Sequence, residues 1–268
     1  MKGLRDFFRL GPALIAAAGA ATAALAPAHA QSRTAAVGCV APAELVRLTH
    51  PLKRVARRLA AAQPLTIIAI GSSSTAGAGA SSPGRSYPSR LAVELKALLP
   101  RAQIKVVNRG VGGEEARDML ARFDRDVLAE KPDLVLWQVG SNSVLRDRPL
   151  QDANATLRGG LKRLRASDAD VVLINPQYAP KVIVKPDADR MVDLIDATAK
   201  ETNVDLFQRF AVMRHWRLTQ DLPFSIFVSP DGLHMNDWSY GCIAKLLAGA
   251  IHDAATRTTM TATAGTAP

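Results

Sequence analysis

The chain has 268 residues, 48% of them hydrophobic, with 34 basic against 24 acidic side chains for a formal net charge of +10. That length and apolar share suffice to bury one substantial core and argue for one catalytic domain rather than two. Aromatic content is only 5% and no basic run is interleaved with aromatic side chains, which argues against a nucleic-acid binder.

The first thirty residues read as a targeting segment. Lys2, Arg5 and Arg9 precede an Ala-rich apolar stretch from Leu10 to Ala26 that is interrupted by Gly and Pro, and Ala28-His29-Ala30 supplies a small-residue cleavage site. This pattern predicts a Sec-type signal peptide cut before Gln31, hence a secreted or periplasmic protein with no stable membrane insertion. Residues 1–30 hold those three basic groups against Asp6, so +8 of the +10 stays with the remainder. In an exported protein such an excess fits an anionic cell-envelope polymer or acidic polysaccharide. Export also places the chain's two cysteines, Cys39 and Cys242, in an oxidising compartment, where a disulfide is expected; two buried thiols are the alternative. Closing a loop of roughly two hundred residues is worth about 4–5 kcal/mol in the chain-entropy account.

An N-terminal helical segment, residues 31–62, is predicted to be helical from Pro42 to Ala62. Its run Lys53-Arg54-Val55-Ala56-Arg57-Arg58 reads as a solvated helix face or a docking patch. Beyond it, apolar runs of about five residues alternate with longer amphipathic stretches, the rhythm of βαβ units. Strands are expected at Leu65–Ile70, Ile104–Asn108, Leu134–Val139, Val171–Asn175 and Val204–Phe207. The first four are continuous apolar runs, as in strands buried on both faces. Helices are expected near Pro88–Leu99, Glu114–Glu130, Leu150–Ala166, Asp187–Thr202 and Asp237–Ala255, with Pro88 at a first turn and Pro100 as a stop. The domain thus spans residues 63–255. Residues 256–268, rich in Thr and Ala without apolar periodicity, read as a disordered tail.

Right-handed crossovers give a parallel sheet of about five strands in a three-layer α/β/α sandwich, in which ligands bind at the carboxyl ends of the strands. The polar and Gly-rich segments lie there. Gly71–Thr75 follows the first strand, Gly110–Gly113 the second and Gly140–Ser143 the third. Pro176-Gln177-Tyr178 follows the fourth, and Asp231–His234 precedes the last helix.

Acyl transfer needs an activated hydroxyl, a base oriented by a third group, and donors aimed at the developing oxyanion. Ser72, Ser73 and Ser74 crowd the turn after the first strand, where a hydroxyl stands above the sheet. A Gly-x-Ser-x-Gly nucleophile elbow is broken by Thr75. A phosphate-binding loop over Gly71–Gly79 lacks the Walker lysine. Asp231 and His234, three residues apart, let one turn hold carboxylate and imidazole together; an ordinary helix start capped by Asp231 or Asn236 is the alternative. Among the other histidines, His29 leaves with the signal, His50 and His252 lie in helical segments, and His215 adjoins Trp216. No His, Glu or Cys cluster has metal-ligand spacing, so neither metal nor cofactor is expected.

Taken together, Gly71-Ser72-Ser73, Asn108-Arg109-Gly110-Val111-Gly112-Gly113, Gly140-Ser141-Asn142-Ser143 and Asp231-Gly232-Leu233-His234 resemble, in order, the four blocks of the SGNH (GDSL-like) hydrolases. The resemblance implies a flavodoxin-like fold and a serine esterase. It makes Ser73 the nucleophile, with Ser72 and Ser74 as alternatives, His234 the base and Asp231 its orienting partner. Ser73, Gly113 and Asn142 become the oxyanion donors. Two positions depart from the family pattern: Ser72 stands in place of Asp before the nucleophile, and Ser143 in place of Asp after Asn142. The implied substrate is a small-molecule or glycan oxygen ester with a short acyl group such as acetyl. An O-acyltransferase, a lysophospholipase or thioesterase, and a silent glycan-binding module are the other readings.

Overall fold

The computed structural model describes residues 38–264, with side chains to 257. The expected signal segment and its cleavage site lie outside the described residues, as does the chain beyond 264. In chain order the elements are α1 Ala43–Val46, α2 Lys53–Ala60, β1 Leu65–Gly71, α3 Ser73–Ala76, α4 Tyr87–Leu98, β2 Ile104–Gly110, α5 Ala116–Ala121, α6 Phe123–Asp126 and β3 Leu134–Gln138. They continue as α7 Ser141–Leu145, α8 Leu150–Arg165, β4 Asp170–Ile174, α9 Pro180–Ile183, α10 Ala188–Glu201, β5 Asp205–Phe207, α11 Arg209–Leu218, α12 Phe224–Phe227 and α13 Asp237–Ala264. No described helix is long and apolar enough to cross a membrane.

All five strands are parallel, in the order β2-β1-β3-β4-β5, the flavodoxin-like arrangement of a three-layer α/β/α sandwich. Alternation along β1, β3 and β4 explains why those strands are apolar on both faces. Ile67, Ala69, Leu134, Leu136, Val172 and Ile174 pack on one face against α4, α11 and α13. Ile68, Ile70, Val135, Trp137, Val171 and Leu173 pack on the other against α5, α8 and α10. Both faces are therefore covered, and each apolar side chain of the central strands is removed from water. β2 corrects the expectation of strands buried on both sides. It is the sheet edge, and each of its residues keeps some exposure.

The N-terminal segment is two short helices rather than one, because three carboxylates at the amino ends of the strands tie it down. Asp205 accepts from the Thr49 and His50 amides and Asp170 from the Val55 amide. Buried Asp133 receives Arg54 Nε at 2.8 Å, Arg58 Nε at 2.7 Å and the Thr66 amide at 2.9 Å. The basic run is thus an internal clamp, with Arg57 paired to Asp168.

Two further expectations are corrected. The single helix predicted over 114–130 is broken at Arg122, whose guanidinium turns inward to Glu114, Asp126 and the Arg109 carbonyl, so a tertiary contact overrides local propensity. The last helix runs past Ala255 to Ala264. Thr256 bonds back to the His252 carbonyl and Arg257 reaches the Leu48 carbonyl, so the tail expected from Thr256 begins as helix.

Cys39 and Cys242 are joined, with their Cα atoms 5.4 Å apart across a sequence separation of 203. Replacing both by serine is expected to lower the unfolding free energy by about 2–5 kcal/mol, read as a reduced midpoint in urea against wild type kept free of reductant.

Candidate active site

The polar blocks converge at the carboxyl edge of β1, β2 and β3. The chain leaves β1 at Gly71 and turns directly into α3, so Ser73 occupies the first helical position with Ser72 before it. Ser72 and Ser74 are 2% and 0% exposed, whereas Ser73 is half-buried. Of the three hydroxyls only that of Ser73 lies beside His234, with Oγ 2.8 Å from Nε2. Ser72 points down instead. Its amide and hydroxyl both donate to Gln138 Oε1 at 3.0 Å, joined there by Thr75 Oγ1 at 3.2 Å. The serine at the usual Asp position is therefore a strut between β1 and β3.

The second block holds the other side of this turn. Asn108 Nδ2 donates to the Thr75 carbonyl and Asn108 Oδ1 accepts the Gly110 amide. A Cβ on Gly110 would come within 2.1 Å of the Ala76 nitrogen, a clash of backbone atoms that no rotamer relieves. Past it the chain reaches Gly113 with φ +80°, a left-handed conformation that glycine adopts without strain. A Cβ on the adjacent Gly112 would lie 4.0 Å from Ser73 Cβ, so this loop borders the serine. Asn142, in the first turn of α7, donates through Nδ2 to the Glu114 carbonyl at 2.8 Å, which sets it beside Gly113. Ser143 is buried and reaches Glu115 Oε2 at 3.4 Å.

Asp231 and His234 share one turn. Asp231 Oδ2 is 2.5 Å from His234 Nδ1, while Oδ1 accepts from Ser229 Oγ and from the Leu233 and His234 amides. Partial burial pushes the Asp231 carboxyl upward, but these four donors outweigh it and hold it well below the usual carboxylate range. Asp231 does not cap the following helix. Asn236 does, accepting the Ser239 amide. An antiparallel bridge from Val228 to Met235 and the Ser229 amide on the His234 carbonyl close the turn. The groups gathered at Ser73, Gly113, Asn142, Asp231 and His234 are of the kind that can activate a hydroxyl, shuttle its proton and stabilise an oxyanion.

A family model described as non-GDSL lipase-like matches residues 38–257. The chain belongs to that family. Among curated relatives, an acetylxylan esterase of Geobacillus stearothermophilus is 34% identical over 105 residues, which are 35% of this chain and 48% of the relative. An arylesterase of Vibrio mimicus is 27% identical over 165 residues, 61% of this chain and 77% of the relative. A solved two-domain esterase active on acetylated mannans superposes with a TM-score of 0.68 at 20% identity, over 79% of this chain and 56% of its own. The chain thus spans about half the length of the acetylxylan esterase and of the mannan esterase; the latter likeness carries the fold.

The sequence assigned no role to the residues that brace this site from below, although Gln177 lies in the segment noted after the fourth strand. Arg209, at the start of α11, is fully buried with no carboxylate partner among the described residues; it donates through Nε to the Asn175 carbonyl and through Nη2 to Gln177 Oε1 at 3.1 Å. Burial pulls its guanidinium down to about 10, so it remains a cation at neutral pH. Gln177 Oε1 also accepts Ser141 Oγ at 2.8 Å, and its Nε2 reaches the Leu233 carbonyl at 3.2 Å. One amide thereby couples the residue before Asn142 to the residue before His234. Gln177→Ala would strand a buried guanidinium donor. It is expected to cost about 2–3 kcal/mol of stability, measured by denaturant unfolding, and a change under 0.5 kcal/mol would contradict this bracing.

Proposed function

We propose that the chain is an exported serine esterase that removes short acyl groups, acetyl above all, from oxygen esters on carbohydrate or cell-envelope polymers. The observation that carries this reading is the continuous line from Ser73 Oγ through His234 to Asp231, with separations of 2.8 Å and 2.5 Å. Its support for a glycan substrate comes from the acetylxylan esterase relative and from the openness of the rim, where Gly112, Gly113 and Arg146 are exposed.

His234 Nε2 takes the Ser73 proton as Oγ attacks the ester carbonyl carbon. The resulting oxyanion accepts hydrogen bonds from the Ser73 amide, the Gly113 amide and Asn142 Nδ2, and the Asp231 carboxylate stabilises the imidazolium through Nδ1–H. The imidazolium then protonates the departing alcohol. Water, deprotonated by the same nitrogen, attacks the acyl-serine and releases the acid, returning the proton to Ser73.

Ser73→Ala is expected to abolish both hydrolysis of p-nitrophenyl acetate and labelling by a fluorophosphonate, while Ser74→Ala remains labelled. Labelling that survives in Ser73→Ala but not in Ser74→Ala would move the nucleophile. Asn142→Ala is expected to lower kcat by about 10²–10³-fold and Asp231→Asn by about 10²–10⁴-fold, in steady-state assays against acetylated xylo-oligosaccharides.

A further inference from the structure

The mouth of the site carries a cation that takes no part in the proton transfers between Ser73, His234 and water. Arg146 is the residue that caps the carboxyl end of α7, four residues and about one helical turn after Asn142. It is 44% exposed. Its Nη1 donates to Glu115 Oε1 at 2.8 Å, and its Nη2 lies 3.5 Å from where a Cβ on Gly113 would stand. One edge of the guanidinium is thus spent on Glu115, while the other borders the residue whose amide is assigned to the oxyanion.

Glu115 cannot neutralise it. That carboxylate is 6% exposed and is shared with Arg148 Nε at 3.2 Å and Arg117 Nη2 at 3.6 Å, besides capping α5. Asp118, 3.8 Å from Arg117, is the other acidic partner in these ion pairs, so within them three guanidiniums share two carboxylates; Asp152 lines the hollow beside Arg117 and Arg148. Across the mouth, Lys181 donates its amide to the Gly232 carbonyl, inside the Asp231–His234 turn. The neighbouring Lys185 is paired with Asp147 and adds no net charge.

We propose that Arg146 is a specificity-determining residue that selects esters bearing a carboxylate near the scissile bond, an inference that rests on the esterase reading above. A planar guanidinium offers a carboxylate two parallel N–H donors, a match that a neutral sugar hydroxyl cannot supply. The carboxylate belongs either to the alcohol half, as in an O-acetylated uronic acid, or to the acyl half, as in a hemisuccinate. The positive rim favours the approach of both.

The test compares kcat/KM within two matched pairs. Acetylated oligogalacturonate is set against acetylated xylo-oligosaccharide of equal length, and p-nitrophenyl hemisuccinate against p-nitrophenyl butyrate, for wild type, Arg146→Gln and Arg146→Lys. Wild type is expected to prefer the anionic member of one pair, and which pair it is identifies the half that carries the charge. Arg146→Gln is expected to cut that preference at least tenfold, with Arg146→Lys retaining part of it and added salt eroding it. A wild type indifferent within both pairs overturns the proposal. So does an Arg146→Gln variant that loses charged and neutral substrates equally, since that is the behaviour of a clip holding the Gly113 loop. A wild type that hydrolyses none of the four and takes no fluorophosphonate overturns the esterase reading itself, and the proposal falls with it.

Discussion

Where Ser73 stands depends on one acceptor atom. Gln138 Oε1, at the last residue of β3 and 1% exposed, takes the Ser72 amide, the Ser72 hydroxyl and the Thr75 hydroxyl. An amide buried at the end of an apolar strand is costly unless bonded; bonded, it fixes the chain that satisfies it. The strand order makes this possible by placing β3 directly beside β1. On the opposite side β2 brings Gly110 against the backbone of Thr75 and Ala76. The short helix bearing the serine is thus gripped by both neighbours of its own strand, and the other site residues are arranged around a fixed point.

The same economy of buried polar groups recurs one strand further on. Asn175 and Gln177 leave β4 and are held by Arg209, whose charge meets no carboxylate among the described residues. An uncompensated buried cation is expensive, and its donors go to the loop that braces α7 and the histidine turn. Asp231 is the complementary case. Its charge is retained because four donors converge on it, so the imidazole is oriented by a group that stays ionised through the working pH range.

Much of this was legible in the sequence. The apolar runs located all five strands within a residue or two, most plainly β1, β3 and β4, where cover on both faces writes a nearly unbroken hydrophobic signal. Ser73, Gly113 and Asn142 came from short blocks at strand ends and Asp231 and His234 from the block before the last helix, and the fold brings them together. What could not be read depends on distant partners. The break at Arg122 follows from an inward guanidinium, and the half-exposed state of β2 from its place at the sheet edge. The helix α11 went unassigned although Phe210, Met213 and Trp216 repeat every three residues and are buried. Gln138 carried a signal as a lone amide ending an apolar strand, and Gln177 as a polar residue in the loop just after one. Arg209 carried none, since an arginine opening a helix is ordinary until its burial is known.

The bond between Cys39 and Cys242 encloses nearly the whole catalytic domain within one covalent ring. A protease that cuts a single exposed peptide anywhere between them, such as the turn at Asp147 to Pro149, leaves two pieces that remain one molecule. Every site residue from Ser73 to His234 falls inside that ring. The nicked protein keeps its halves at fixed high local concentration, and the sheet that joins them has no route to lose one half by diffusion. Cleavage of the chain and separation of the site's parts are thereby distinct events.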